Sequence, residues 1–150
     1  TGAAGNAPEL WKMCGKNAVG ISTLTYTSAK AKLTEGGKHF REAYTAKYGY
    51  VPELTAMEAY DTVLVALDAL KRAGTTEPGA LIDALEKTKV EGFIGTITFE
   101  KGPGVLWHQW PNRPILVVQY TKENQSIDEG EIVYPLEFKT ADLVIPAPHY

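Results

Sequence analysis

The chain is short of several things that whole classes of protein require. It has one cysteine, Cys14, in 150 residues, which excludes an intramolecular disulfide framework and a Cys-cluster zinc site. Apolar runs such as Ile115-Leu116-Val117-Val118 fall far below the roughly 20 residues that a helix needs to cross a bilayer. Lys and Arg are scattered singly and the formal net charge is −3, so no basic stripe is available to track a phosphate backbone, and no nucleic-acid partner is expected. Recognisable catalytic patterns are missing as well. Gly20-Ile21-Ser22-Thr23-Leu24 lacks the second glycine of a nucleophile elbow. Gly15-Lys16 is followed by Asn17, where a P-loop has Ser or Thr. Gly102-Pro103-Gly104 follows a strand pattern but opens no helix. His39, His108 and His149 stand apart without metal-ligand spacing. We therefore expect no enzyme activity, no metal and no cofactor.

What is present reads as an ordered α/β chain: 44% hydrophobic and 10% aromatic residues exclude a disordered one. Thr1 to Asn6 is a loop by composition, and Pro8 opens a short helix over Glu9–Met13 that Gly15 stops. Val19–Tyr26 alternates as a strand. Glu35–Tyr48 is helical, with Phe40, Tyr44 and Tyr48 recurring every four residues and Gly49 as its C-terminal cap. Leu54–Ala73 carries the strongest helical pattern. Met57, Tyr60, Val63, Leu64, Leu67 and Leu70 form its apolar stripe, expected to face inward, while Glu58, Asp61, Asp68 and Lys71 face away. Pro78–Thr88 is a third helix, with Leu81, Ile82 and Leu85 inward. The period then changes to two over Phe93–Phe99, ending in the turn Glu100–Gly104. Arg113–Thr121 and Ile132–Phe138 read as further strands around the polar loop Lys122–Gly130, and the Pro-rich tail Val144–Pro148 cannot be helical. Three consecutive helices need a sheet to cover, and only one or two strands lie near them in the sequence. The missing strands are expected in a segment outside this chain, so that these residues are a fragment that does not fold stably without its complement.

Two local features are candidates for binding. Trp107-His108-Gln109-Trp110, after a glycine turn, offers two indoles and an imidazole that could line a ligand cleft; the competing reading has the tryptophans wedge two layers together. Asp61 beside Tyr60 could meet a cationic group, but a mid-helix carboxylate is normally solvated. Cys14, between Met13 and Gly15, reads as a small buried hydrophobe.

Several stretches in order carry a family resemblance. They are Gly5-Asn6-Ala7-Pro8-Glu9-Leu10 with Cys14-Gly15-Lys16-Asn17-Ala18-Val19-Gly20, then Phe40 to Pro52 as F-x-x-x-Y-x-x-K-Y-G-x-x-P. After these come Ala59-Tyr60-Asp61 running to Ala73-Gly74, Gly92 to Phe99 as G-x-x-G-x-I-x-F, and Val117-Val118-Gln119-Tyr120. Together they resemble the C-terminal portion of a type I periplasmic solute-binding protein of the branched-chain amino-acid (Leu/Ile/Val) ABC transporter class. The resemblance implies part of a two-lobe fold, with three-layer α/β/α lobes joined by a hinge. Residues 1–25 and 112–150 would belong to one lobe and 29–105 to the other, with crossings near 26–28 and 106–111.

It also implies a non-enzymatic solute-binding subunit, periplasmic or extracellular and lipid-anchored, that closes on a small solute and delivers it to a membrane permease. Its partners would be the solute, the permease and the N-terminal portion of the same protein. A ligand-sensing domain of a receptor or regulator with the same fold, and a small α/β hydrolase, are the alternatives. By the same resemblance Gly2, Ala3, Ala4, Tyr26, Trp107 and His108 are the ligand-binding candidates. The family's loop before Asn6 carries an acid that pairs with a ligand ammonium, and Thr1–Gly5 has none. The expected solute therefore widens from an amino acid to an amide, a carboxylate or an aromatic.

Overall fold

The computed structural model describes residues 5, 9–26, 28–111 and 113–145. The chain divides into two compact units, Thr1–Lys32 with Ile115–Tyr150, and Leu33–Pro114.

The first unit is built on a three-stranded antiparallel sheet in the order β1 (Ser22–Thr25), β4 (Leu116–Gln119), β5 (Glu131–Tyr134). Helix α1 (Leu10–Cys14) precedes it and runs into a 3-10 turn, Gly15–Ala18. Gly15, at φ +50°, breaks the α-helix as expected, but the chain coils on rather than stopping. All the strands are shorter than the sequence pattern predicts. Val19–Gly20 and Tyr120 flank the ladder through single backbone bonds, and after β5 the chain turns into a 3-10 segment at Leu136–Phe138. Cys14 is half-buried rather than buried, and Pro8 lies outside the described residues.

Gln119 is buried, and its amide spans three backbone groups. Nε2 donates to the carbonyls of Gly20 (2.9 Å) and Val144 (2.7 Å), while Oε1 accepts from Val144 N–H (2.9 Å). A buried amide is tolerated because its donors and acceptor are matched, and here the match straps the 142–145 segment to the sheet. Trp11 stands edge-on to Tyr120 (5.3 Å between rings) and donates to the Gln125 carbonyl at 2.7 Å, fastening α1 to the same sheet.

Among its described residues the second unit holds three helices, α2 (Glu35–Tyr48), α3 (Leu54–Ala73) and α4 (Pro78–Leu85), and one hairpin of β2 (Lys89–Glu91) and β3 (Thr96–Thr98). Helix α2 begins at Thr34, whose hydroxyl accepts from Gly37 N–H at 3.0 Å. It ends at Gly49 in the left-handed conformation. Its aromatic residues stack along the helix, Phe40 on Tyr44 and Tyr44 on Tyr48, as their spacing predicts. Helix α4 is shorter than expected. Residues 89–91 leave it to pair with β3, and Arg72 of α3 caps its end by donating to the Ala84 carbonyl at 2.5 Å.

Further expectations fail in the second unit. The strand expected over Phe93–Phe99 begins only at Thr96, and Gly92-Phe93-Ile94-Gly95 is the hairpin's turn, closed by Gly92 N–H to the Gly95 carbonyl at 2.8 Å. Phe93 and Ile94 are nonetheless buried, because the turn is pressed into the helices. Its alternating pattern came from burial of a turn and not from a pleated strand.

Helix α3 is also rotated from its expected setting. Met57, Asp61, Val65 and Ala69 are its buried positions, whereas Val63, Leu67 and Leu70 are exposed. Asp61 is inside because it serves a backbone donor: its Oδ1 accepts from Phe93 N–H at 2.7 Å. Its charge, after burial itself, helps to raise the pKa of the Tyr60 hydroxyl. Helix α4 shows the same departure, with Ala84 buried and Ile82 exposed.

The Phe93 peptide is held from the other side by α2. Thr34 donates through its N–H to the Phe93 carbonyl (3.2 Å) and through its hydroxyl to that of Gly92 (2.6 Å). Gly37 lies so close that a Cβ there would stand 2.1 Å from the Phe93 oxygen. Gly37→Ala is therefore expected to destabilise by about 1–3 kcal/mol or more through overpacking against backbone. Asp61→Ala should cost a similar amount, roughly 1–3 kcal/mol, by leaving the buried Phe93 N–H unpaired. Urea unfolding measures both, and losses below about 0.5 kcal/mol would contradict this account.

A pH effect follows from Glu131 on β5. Hydrogen bonds from Lys30 (2.8 Å) and then Thr140 (2.5 Å) hold its carboxyl below the ordinary 4.5. A folded-state pKa below the unfolded one contributes stability that is fully present above about pH 4.5 and lost as pH falls through the lower folded value. The stability gap between wild type and Glu131→Gln is thus expected to close on acidification below about pH 4.5, and a gap constant with pH would refute the linkage.

Candidate functional site

The expected site residues fall into both units. Gly2, Ala3 and Ala4 lie outside the described residues. Their neighbour Gly5 is buried, and its carbonyl accepts from the Tyr120 hydroxyl at 3.0 Å. Burial raises the pKa of that hydroxyl, which keeps it a donor.

Tyr26, at the end of β1, is 3% exposed. The segment after it is pinned within the first unit. Ser28 is buried and accepts from Lys30 N–H at 3.2 Å, Ala29 N–H donates to Asp128 Oδ1 at 2.6 Å, and Lys30 Nζ reaches both the Glu129 carbonyl (3.2 Å) and Glu131. No sequence pattern announced Asp128 or Lys30, because each acts across about a hundred residues of chain.

Trp107 and His108 come together in the second unit. Their rings lie 4.4 Å apart at 41°, and both side chains are about half exposed. Their loop hangs from the end of the hairpin: Glu100 N–H donates to the Gln109 carbonyl, His108 N–H donates to that of Glu100, and Glu100 bridges Trp107. His108 takes the left-handed conformation, φ +59°, uncommon for a residue with a Cβ. That backbone turns its imidazole toward α4, where Nε2 lies 2.9 Å from Glu86 Oε1. An ionised carboxylate can only accept, so Nε2 carries the proton in this pair. Glu86 caps the C-terminus of α4, and the pair fixes the imidazole that backs the Trp107 indole. Glu86 is the residue that sequence reasoning missed, since 22 positions separate it from His108.

Ile82, Leu85, Glu86, Phe99 and His108 line a cavity of about 270 Å³. Ile82, Leu85 and Phe99 give it apolar walls beside the Glu86–His108 pair, so it can hold an apolar group. Among the described residues no group of three or more His, Cys, Asp or Glu is placed to hold a metal ion, and no helix is long and apolar enough to cross a membrane.

Comparison with known proteins decides the family. The family model described as periplasmic binding protein matches residues 1–125. The chain belongs to the periplasmic binding protein family. Solved structures with the same type I fold include the leucine-binding protein LivK of Thermotoga maritima. It is 23% identical, with a TM-score of 0.69, over 87% of this chain and 35% of that one. The branched-chain amino acid transporter substrate-binding protein LivJ of Streptococcus pneumoniae, solved with isoleucine, is 24% identical. Its TM-score is 0.67, over 89% of this chain and 36% of that one. An ABC transporter solute-binding protein of Rhodopseudomonas palustris, solved with 3,4-dihydroxybenzoic acid, is 25% identical. Its TM-score is 0.53, over 74% of this chain and 29% of that one. A comparison with curated proteins gives no match. This periplasmic binding protein chain thus spans about a third of the length of the structures it resembles.

The Glu86–His108 pair is exposed, so its contribution to overall stability should be small, at most about 1 kcal/mol. Its effect on the loop should be local. Glu86→Ala is expected to speed amide hydrogen exchange at 105–109 several-fold while leaving the unfolding midpoint nearly unchanged; unaltered exchange would show that the pair does not hold the loop.

Proposed function

We propose that these residues are part of the extracytoplasmic solute-binding subunit of an ABC importer. This subunit is non-enzymatic and captures a small amino acid, amide or aromatic carboxylate by closing two lobes. The observation that carries the reading is the family match over residues 1–125 in a chain that divides into two compact units. Residues 1–25 with 112–150 would serve one lobe and 29–105 the other, the chain crossing between them near 26–28 and 106–111. Closure about such crossings traps the solute, and the closed form is what the permease distinguishes.

The solute class rests on chemistry. The Trp107 indole, backed by His108, offers a half-exposed aromatic face to a planar or apolar body. Backbone N–H groups of the 1–6 loop and Tyr26 would take its carboxylate or amide. The absence of an acidic residue from Thr1–Gly5 removes the partner an ammonium needs. Among the relatives, one holds isoleucine and another 3,4-dihydroxybenzoic acid. The aromatic carboxylate suits the Trp107 face better.

Thermal unfolding of the full-length protein against a panel of amino acids, amides and aromatic acids tests this. A true solute at 100 times its Kd adds about 2.7 kcal/mol of stability. Trp107→Ala should weaken that solute up to about tenfold, the worth of one aromatic contact. Indifference to the whole panel would sink the proposal.

A further inference from the structure

The cavity beside α4 lies wholly within the second unit, and its walls are of two kinds. Ile82 and Leu85 of α4 and Phe99 after β3 are hydrocarbon, while Glu86 and His108 make a polar side. A volume of about 270 Å³ falls below the roughly 300 Å³ at which pockets for drug-sized ligands begin. Its occupant is therefore small, one ring or one branched chain. The cavity is open to solvent, since Ile82 is 51% exposed and the side chains of His108 and Glu86 are 45% and 37% exposed.

The polar side can only accept hydrogen bonds. Glu86 Oε1 is taken by His108 Nε2–H at 2.9 Å, and an ionised carboxylate has no donor of its own. With the proton on Nε2, the neutral imidazole presents Nδ1 as a second acceptor. Among the described residues neither Glu86 Oε2 nor His108 Nδ1 has a hydrogen-bond partner. The surrounding field has the same sign. Glu86 is the C-terminal cap of α4, the end at which backbone carbonyls make a helix negative and a cation is stabilising. The last turns of α2 and α3 obey this rule with Lys47 and with Lys71 and Arg72, but α4 has no basic residue in its last turn and an acid at its cap. Arg72 reaches the Ala84 carbonyl, yet its charge is paired with Asp68 at 2.8 and 2.6 Å. Among the described residues no Lys or Arg pairs with Glu86.

A ligand that fits these walls must donate hydrogen bonds, carry positive charge and bury hydrocarbon. We propose that the cavity is a binding site for a small primary amine with an aromatic or branched aliphatic body. The body lies against Ile82, Leu85 and Phe99, and the ammonium bonds Glu86 Oε2 and His108 Nδ1. A carboxylate is rejected there, because it would meet acceptors only. The site is separate from solute capture by two lobes and uses residues of the second unit alone, with His108 common to it and to the Trp107 pair.

Titration of the full-length protein with benzylamine, followed by line broadening of the ligand's NMR signals, tests the site. Saturation is expected with a Kd of about 1 mM or tighter, an affinity open to a molecule of this size. Benzyl alcohol keeps the body without the charge and should bind about fivefold more weakly, the worth of a half-exposed ion pair. Benzoate should not saturate. Glu86→Gln leaves His108 its acceptor but removes the charge, and is expected to bring benzylamine down to the level of benzyl alcohol. Ile82→Trp, at an exposed position, fills the cavity and should abolish binding; Glu86→Gln decides alone if that bulkier variant does not fold. No saturation by about 10 mM, benzoate bound as well as benzylamine, or binding indifferent to Glu86→Gln would each overturn the proposal. Benzylamine binding that survives Ile82→Trp would overturn it too, by placing the amine outside the cavity, and would leave the two-lobe reading standing.

Discussion

The peptide unit of Phe93 is where the second unit is tied together. Its N–H is taken by a buried carboxylate from α3, and its carbonyl faces the first turn of α2, where only a glycine allows the approach. Two consecutive helices thus converge on one turn of four residues that lies tens of residues further along the chain. A buried N–H without a partner is costly and an isolated buried charge more so; Asp61 and Phe93 answer each other's need. Gly92 shows how tight the fit is, since a Cβ there would meet both Ile97 and Asp61 within 3 Å. Because the turn is fixed, the hairpin leaves it in a set direction. The loop carrying Trp107 and His108 is an extension of that hairpin through Glu100.

The first unit uses the same device with different residues. Gln119, Tyr120 and Lys30 each reach from the sheet or its edge to backbone groups of remote segments, at 142–145, at Gly5 and at 129–131 respectively. These segments are too irregular to satisfy themselves, and a buried loop is possible only when its polar groups find partners. Gly5 is thus anchored to the sheet by a tyrosine whose hydroxyl is kept a donor by its burial.

The two units share one way of fixing irregular backbone. Inside each unit, polar side chains hold irregular segments in place by taking up their backbone groups. The Glu86–His108–Trp107 arrangement is of this type. The indole offers area, the imidazole limits its rotation, and the end of α4 holds the imidazole.

Much of the fold was legible in the residues. Helices α2 and α3 begin and end where their caps indicate, the Phe40–Tyr44–Tyr48 spacing becomes a ladder of ring contacts, and the ordered motifs point to the family. The apolar stripe on α3 was legible too. What only the tertiary structure decided is which way that stripe faces, that Asp61 is inside, that Gly92–Gly95 is a turn, and that Glu86 meets His108. The physical reason is the same in each case. Periodicity and capping are set by neighbours within one or two helical turns, and the sequence states them directly. A buried carboxylate or a half-covered helix depends on a partner tens of residues away, and no local pattern records where that partner will come to rest.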